Sequence, residues 1–73
     1  MIEVGSRVTT KAGINGMGTI TVKGTVVDVL PANEHRSESI VEVHHSLEDL
    51  PFVGVAPHNT VHLLTDLEEL PSV

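Results

Sequence analysis

Cysteine is absent from this 73-residue chain, and so are tryptophan and tyrosine; Phe52 is the sole aromatic residue. Without thiols there is no disulfide and no thiolate zinc site to hold a small fold together. Without large rings the core must be built from valine, leucine and isoleucine, each of which buries less apolar surface than an aromatic side chain. A chain of this length sits near the lower limit for a stable single core, so one domain over residues 1–73 is expected, and association with another chain is a common remedy for so small a core. Lysine and arginine are missing from Ser37 onward: Arg7, Lys11, Lys23 and Arg36 are the only ones, against ten acidic residues, for a net charge of −6. No apolar run approaches the ~18 residues of a membrane span, and "MIEVGSRV" has neither the basic region nor the apolar stretch of a secretory signal. The expectation is a soluble cytoplasmic protein.

What is present is a repeated two-residue rhythm. Ser6–Thr10 alternates around Val8 and reads as a strand. "GINGMG" then concentrates glycine, and Asn15-Gly16 is a turn signal; residues 11–24 read as a turn-rich loop in which "TITVK" forms a short arm. Thr25–Leu30, "TVVDVL", is the clearest strand, with Val27 and Val29 on one face and Val26, Asp28 and Leu30 on the other. Pro31 ends it, because proline cannot donate to a ladder. After the polar turn "PANEHRSES", Ser39–His45 places Val41 and Val43 together. Ser46–Pro57 is irregular, with Leu47, Leu50, Phe52 and Val53 folding back onto one end. Val61–Leu64 is the last strand, with Val61 and Leu63 inward. In "TDLEEL", Thr65 and Glu68 have capping-box spacing and Pro71 stops a single helical or 3₁₀ turn. The expected core is Val8, Val27, Val29, Val41, Val43, Val61 and Leu63. Four or five short strands without a long helix predict an all-β fold, a small antiparallel barrel closed to limit exposed edges.

With "VGSRVTTKAG" opening, "KGTVVDVL" after a glycine-rich loop and "VHLLTDLEEL" closing, the chain resembles the SH3-like small barrels. Within that group it is similar to KOW-type modules of ribosomal and transcription proteins, to the variable chain of ferredoxin–thioredoxin reductase and to type II dihydrofolate reductase. The resemblance implies an SH3-like barrel with a terminal helical turn. Two departures bear on function. RNA-binding KOW modules are generally basic, whereas this chain is acidic. The reductase strand motif Val-Gln-Ile-Tyr corresponds here to Val61-His62-Leu63-Leu64, without the amide or the phenol, and its lysine position falls at Thr10 with Lys11 one place away. That activity is not carried over.

The five histidines, His35, His44, His45, His58 and His62, invite a metal reading. Adjacent residues of a strand point to opposite faces, so His44 and His45 cannot share an ion. His58 and His62 could approach one of them beside Glu42, but no spacing matches a metal motif such as H-E-x-x-H. "GINGMG" lacks the P-loop spacing, and no serine sits in a G-x-S-x-G elbow. No catalytic residue, cofactor or metal ligand is assigned.

The functional expectation is a non-catalytic interaction or accessory module. Its acidic second half would meet a basic protein surface through Glu42, Glu48, Asp49, Asp66, Glu68 and Glu69, anchored by Leu50, Phe52 and Val53. The alternatives are a KOW-like nucleic-acid-linked module, an acidic inhibitor that mimics DNA, and a small enzyme active as an oligomer. Net negative charge repels phosphate backbones. Crowded carboxylates in the second half also predict that mild acidification stabilises the fold.

Overall fold

The computed structural model describes residues 1–14, 16, 18–50 and 53–71, with Ile14 described by its backbone alone. The chain is an antiparallel all-β domain. Its elements are β1 (Arg7–Ile14), β2 (Gly18–Leu30), β3 (Ile40–His45), β4 (His58–Leu63), a 3₁₀ turn over Leu64–Asp66 and a two-residue β5 (Glu68–Glu69). The spatial order is β4-β3-β2-β1-β5. Four strands thus form a meander, and the chain then crosses back through the 3₁₀ turn to lay β5 on the free side of β1. No helix is long and apolar enough to cross a membrane among the described residues.

The sheet curls. β1 and β4 are separated by two strands, yet Thr10 and Ala12 line the same small cavity as Thr60 and His62. Inside the curl lies the core of Val8, Val26, Val41, Val43 and Leu67, with Ile2, Val29 and Leu64 packed against it.

Residues 11–24, expected as a loop, are mostly the facing arms of a long hairpin. β1 pairs with β2 in unbroken register from Arg7↔Thr25 to Ile14↔Gly18. The turn chemistry is compressed into its tip, where Gly16 and Gly18 take φ of 71° and 88°, a region that side chains beyond hydrogen disfavour. Thr9, Thr10, Thr19 and Thr21 are β-branched residues that suit a half-exposed pleated ribbon. The buried Thr10 hydroxyl is satisfied by donating to the Val22 carbonyl at 3.1 Å.

Three of the expected core residues are not in the core. Val27 is 43% exposed while Val26 is 1% exposed. The cause is a bulge: Val26 pairs with Val43 but Asp28 pairs with Glu42, leaving Val27 as the extra residue. The inward set therefore switches from even positions (Val22, Gly24, Val26) to Val29, a change of phase that a β-bulge imposes. In β4, Val61 is 65% and Leu63 38% exposed. Directly opposed residues share a face. Because Val41 pairs with His62 and Val43 with Thr60, the inward side chains of β4 are His62 and Thr60, not the two aliphatics.

The terminal segment also differs from expectation. Its 3₁₀ turn begins one residue earlier than Thr65, no side chain caps it, and Glu68 belongs to β5, opposite Thr9.

Burial sorts the valines by expected cost. Val41→Ala removes two methyl groups from a fully enclosed site and is expected to cost about 2 kcal/mol. Val27→Ala removes them from solvent and is expected to cost less than ~1 kcal/mol. Thermal melts of the two variants check this: equal shifts would contradict the bulge assignment.

Candidate functional site

Two places combine exposed or unusual chemistry with defined geometry. One lies inside the curl and the other on its outer face.

The inner one begins at His45, the last residue of β3 and the largest fully buried side chain, at 2% exposure. Its Nδ1–H donates to the Lys23 carbonyl at 2.7 Å, since a carbonyl only accepts. The ring's Nε2 then accepts the Thr60 hydroxyl at 2.7 Å. The Thr60 oxygen in turn lies 2.6 Å from His62 Nε2, which donates to it. One neutral arrangement therefore satisfies the whole chain from Lys23 to His62, with both tautomers set by their partners. A small apolar-walled cavity of about 190 Å³ borders it, lined among others by Ala12, Val22, Leu50, Val55 and His58. The His58 ring stands 5.5 Å from that of His45, tilted by 42°, and donates from Nδ1 to the Ala56 carbonyl at 2.9 Å. Among the described residues, no three His, Asp or Glu side chains converge in a way that could hold a metal ion.

The outer site lies on β2, β3 and β4. The cross-strand partners Leu30, Ile40 and Leu63 form one row, and Asp28, Glu42 and Val61 form the next. Leu30, Val61 and Leu63 are all exposed, as is Val27 in the bulge. A third row is polar and ordered: His44 Nδ1–H donates to Asn59 Oδ1 at 2.7 Å, and Asn59 Nδ2 donates to Glu42 Oε2 at 2.7 Å. That bond orients the Glu42 carboxylate across the face, beside the apolar row.

The remaining acidic residues do not gather on that face. Glu68 and Glu69 lie on β5, at the opposite edge of the sheet order from β4, and Glu69 accepts from the Met1 ammonium at 2.9 Å. Asp66 lies in the 3₁₀ turn. Glu48 is exposed in the turn after β3. Asp49 is engaged inside the chain, its carboxylate 5% exposed and paired with Arg7. Arg7 Nη2 donates to Asp49 Oδ1 at 2.5 Å and Nη1 to Oδ2 at 3.2 Å. Ser46 adds its backbone N–H and its hydroxyl, each at 3.1 Å. This set pins the post-β3 turn to β1. Of the expected anchors, Leu50 is half-buried against the inner cavity, Val53 is fully exposed, and Phe52 falls outside the described residues.

The basic residues are also partly engaged. Arg7 holds Asp49, and Arg36 donates to the Pro31 carbonyl at 2.8 Å. Lys11 and Lys23 lie exposed on the β1–β2 ribbon, opposite Thr21 and Thr9 respectively.

Two titrations acquire a sign from this geometry. Arg7 holds the Asp49 carboxyl at about 2, below its ordinary 3.8, against the opposing effect of burial and with help from Ser46. Burial, followed by the neighbouring His45, lowers His62 from its ordinary 6.5, and Asp66 opposes the shift. Lys11 and Glu68 also border this side of the ring. A lowered histidine contributes stability that is complete above pH 6.5 and is lost as pH falls through its folded value. The Asp49 contribution is complete above 3.8 and is lost toward pH 2. The His62 contribution is therefore expected to lower the melting temperature between pH 7.5 and pH 5, opposite in sign to the effect read from carboxylate crowding. His62→Gln keeps a donor near Thr60 without the titration and is expected to flatten that fall. The same pH dependence of melting temperature in the two proteins contradicts the assignment.

Comparison of the chain with protein-family models, curated proteins and solved structures gives no significant match.

Proposed function

We propose that the chain is a non-catalytic interaction or accessory module of the SH3-like barrel kind, which binds a protein partner carrying basic and apolar side chains. The observation that carries this reading is the outer face of β2–β4, where exposed Leu30, Leu63 and Val61 adjoin the carboxylates of Asp28 and Glu42. An apolar patch provides affinity, and the flanking charge provides steering and selects a basic partner. The barrel reading is supported by the four-strand meander, the 3₁₀ turn and the short β5 returning to β1.

The same geometry weighs against the nucleic-acid-linked alternative. Phosphate binding draws on several free cations, yet Arg7 is committed to Asp49, and the lysines without a partner among the described residues are Lys11 and Lys23 on the ribbon. Anisotropy titration of the labelled chain at ~50 mM salt, where basic binders are favoured, separates the readings. Polylysine is expected to bind, more weakly as salt rises. Asp28→Asn with Glu42→Gln should weaken it more than Glu68→Gln with Glu69→Gln. Duplex DNA and single-stranded RNA are expected not to bind at micromolar concentration. Micromolar binding to either nucleic acid, or equal loss from both acidic pairs, would overturn the proposal.

A further inference from the structure

The two edges of the sheet are guarded very differently. At one end β5 is two residues long, both of them glutamate, with Pro71 shortly after, and the stretch of β1 that it leaves uncovered carries Lys11. Short length, charge and a nearby proline are the usual defences of an edge against pairing with another chain. At the other end β4 runs for six residues, HNTVHL, with no lysine, arginine, aspartate, glutamate or proline. Its register with β3 is unbroken from Ile40↔Leu63 to His45↔His58, so no bulge turns it away.

The phase of the free edge follows from one bond. The Leu64 N–H donates to the Ser39 carbonyl at 3.0 Å, which makes 39/64 a hydrogen-bonded pair. Such pairs alternate along an antiparallel ladder, so His62, Thr60 and His58 also exchange bonds with β3. The N–H and C=O groups of Asn59, Val61 and Leu63 point the other way, to the side where no strand pairs with β4 among the described residues. Their side chains stand on the outer face, where Val61 and Leu63 are exposed.

We propose that this edge pairs with the same edge of a second copy, giving a two-fold dimer with one continuous sheet. The register closes on itself at Val61. With the axis at that residue, Val61 pairs with its own counterpart, and Asn59 of each chain pairs with Leu63 of the other. Every outward N–H and C=O of Asn59, Val61 and Leu63 then finds a partner, as a closed isologous contact requires. Net charge does not oppose it locally. The strand carries no lysine, arginine, aspartate or glutamate, and the two Glu42 residues would lie across three strand spacings, ~14 Å, beyond the ~8 Å screening length of physiological salt. A basic peptide would find no carboxylate on this strand to select it, which favours self-pairing at the edge. The contact takes Val61 and Leu63 from the rim of the acidic–apolar face and leaves its Asp28 and Glu42 open in the dimer.

Sedimentation and amide exchange over a series from ~10 µM to ~1 mM, the range suited to a small interface, test the proposal. The expected result is a rise to twice the monomer mass, with Asn59, Val61 and Leu63 amides becoming protected in step with it. Val61→Lys sets two like charges at the axis on a residue already exposed in the monomer, so it should stay folded by circular dichroism. It should also associate about a hundredfold more weakly. Asp28→Asn with Glu42→Gln should leave dimerisation intact, which separates this proposal from the partner reading. A monomer throughout the series, a dimer whose three edge amides stay open, or a Val61→Lys protein that dimerises like the parent would each overturn it.

Discussion

Replacing Gly24 by alanine is expected to lower the melting temperature by about 15 °C, the consequence of roughly 3 kcal/mol of overpacking in a domain this small. A Cβ at position 24 would lie 2.3 Å from Val43 Cγ1 and 3.0 Å from both the His44 carbonyl oxygen and His45 Nδ1. None of the three can yield easily. Val43 is fully enclosed. The His44 carbonyl is backbone. His45 is held at both ring nitrogens. Gly24 is the position in β2 where the wall is thin enough for β3 to close against it and for the His45 ring to reach the Lys23 carbonyl. Gly13→Ala is the control. It lies in the same hairpin with nothing within 4 Å of its Cβ position, and its cost should stay within about 1 kcal/mol. Similar melting temperatures for the two variants would contradict the packing described for β2 and β3.

His45→Ala is expected to be more damaging still, at about 3–5 kcal/mol, a large share of what a domain of this size has in total. The substitution opens a cavity at the end of the core and removes both of the ring's hydrogen bonds. The Lys23 carbonyl would lose its bond to the ring and the Thr60 hydroxyl its acceptor, and an orphaned buried polar group costs about 1–3 kcal/mol in its own right. Thr60→Val distinguishes the two contributions, since it keeps the volume and removes the bridge. Its expected cost is about 1–2 kcal/mol. If denaturant titration places His45→Ala within ~1 kcal/mol of the parent, the chain of bonds from Lys23 to His62 does not hold the interior.

The strands themselves were legible because alternation of valine with polar residues marks a half-buried strand. Val8, Val41 and Val43 face inward as that rhythm predicts. What failed was continuity of phase. One extra residue at Val27 inverts the face of everything beyond it, and nothing in "TVVDVL" distinguishes a bulged strand from a regular one. The inward face of β4 was hidden for a different reason. Hydropathy ranks Val61 and Leu63 above Thr60 and His62, yet the latter pair enter the interior because their polar atoms bond to one another and to His45. A buried polar group is tolerated when it is satisfied, and satisfaction depends on a partner fifteen positions away in the chain. The same limit applies to the acidic second half. Composition reveals the excess of carboxylates but not that Asp49 is taken by Arg7, nor that Glu68 and Glu69 lie on β5, at the other end of the strand order from β4. Asp28, which adjoins Glu42 on the exposed face, was visible only as the polar member of a strand. The exposed pair Val61 and Leu63 is the clearest sign of an interaction face, and it emerged only once the register was known.

The most direct test of the account is residue-resolved amide chemical-shift mapping, with a short soluble peptide of alternating lysine and valine as the probe. The account predicts that the perturbed resonances cluster at Asp28, Leu30, Glu42, His44 and Val61, and that the shifts shrink as salt is raised. Perturbations confined to Lys11, Lys23 and the β5 glutamates, or scattered without salt dependence, would contradict the assignment of the β2–β4 outer face as the binding surface.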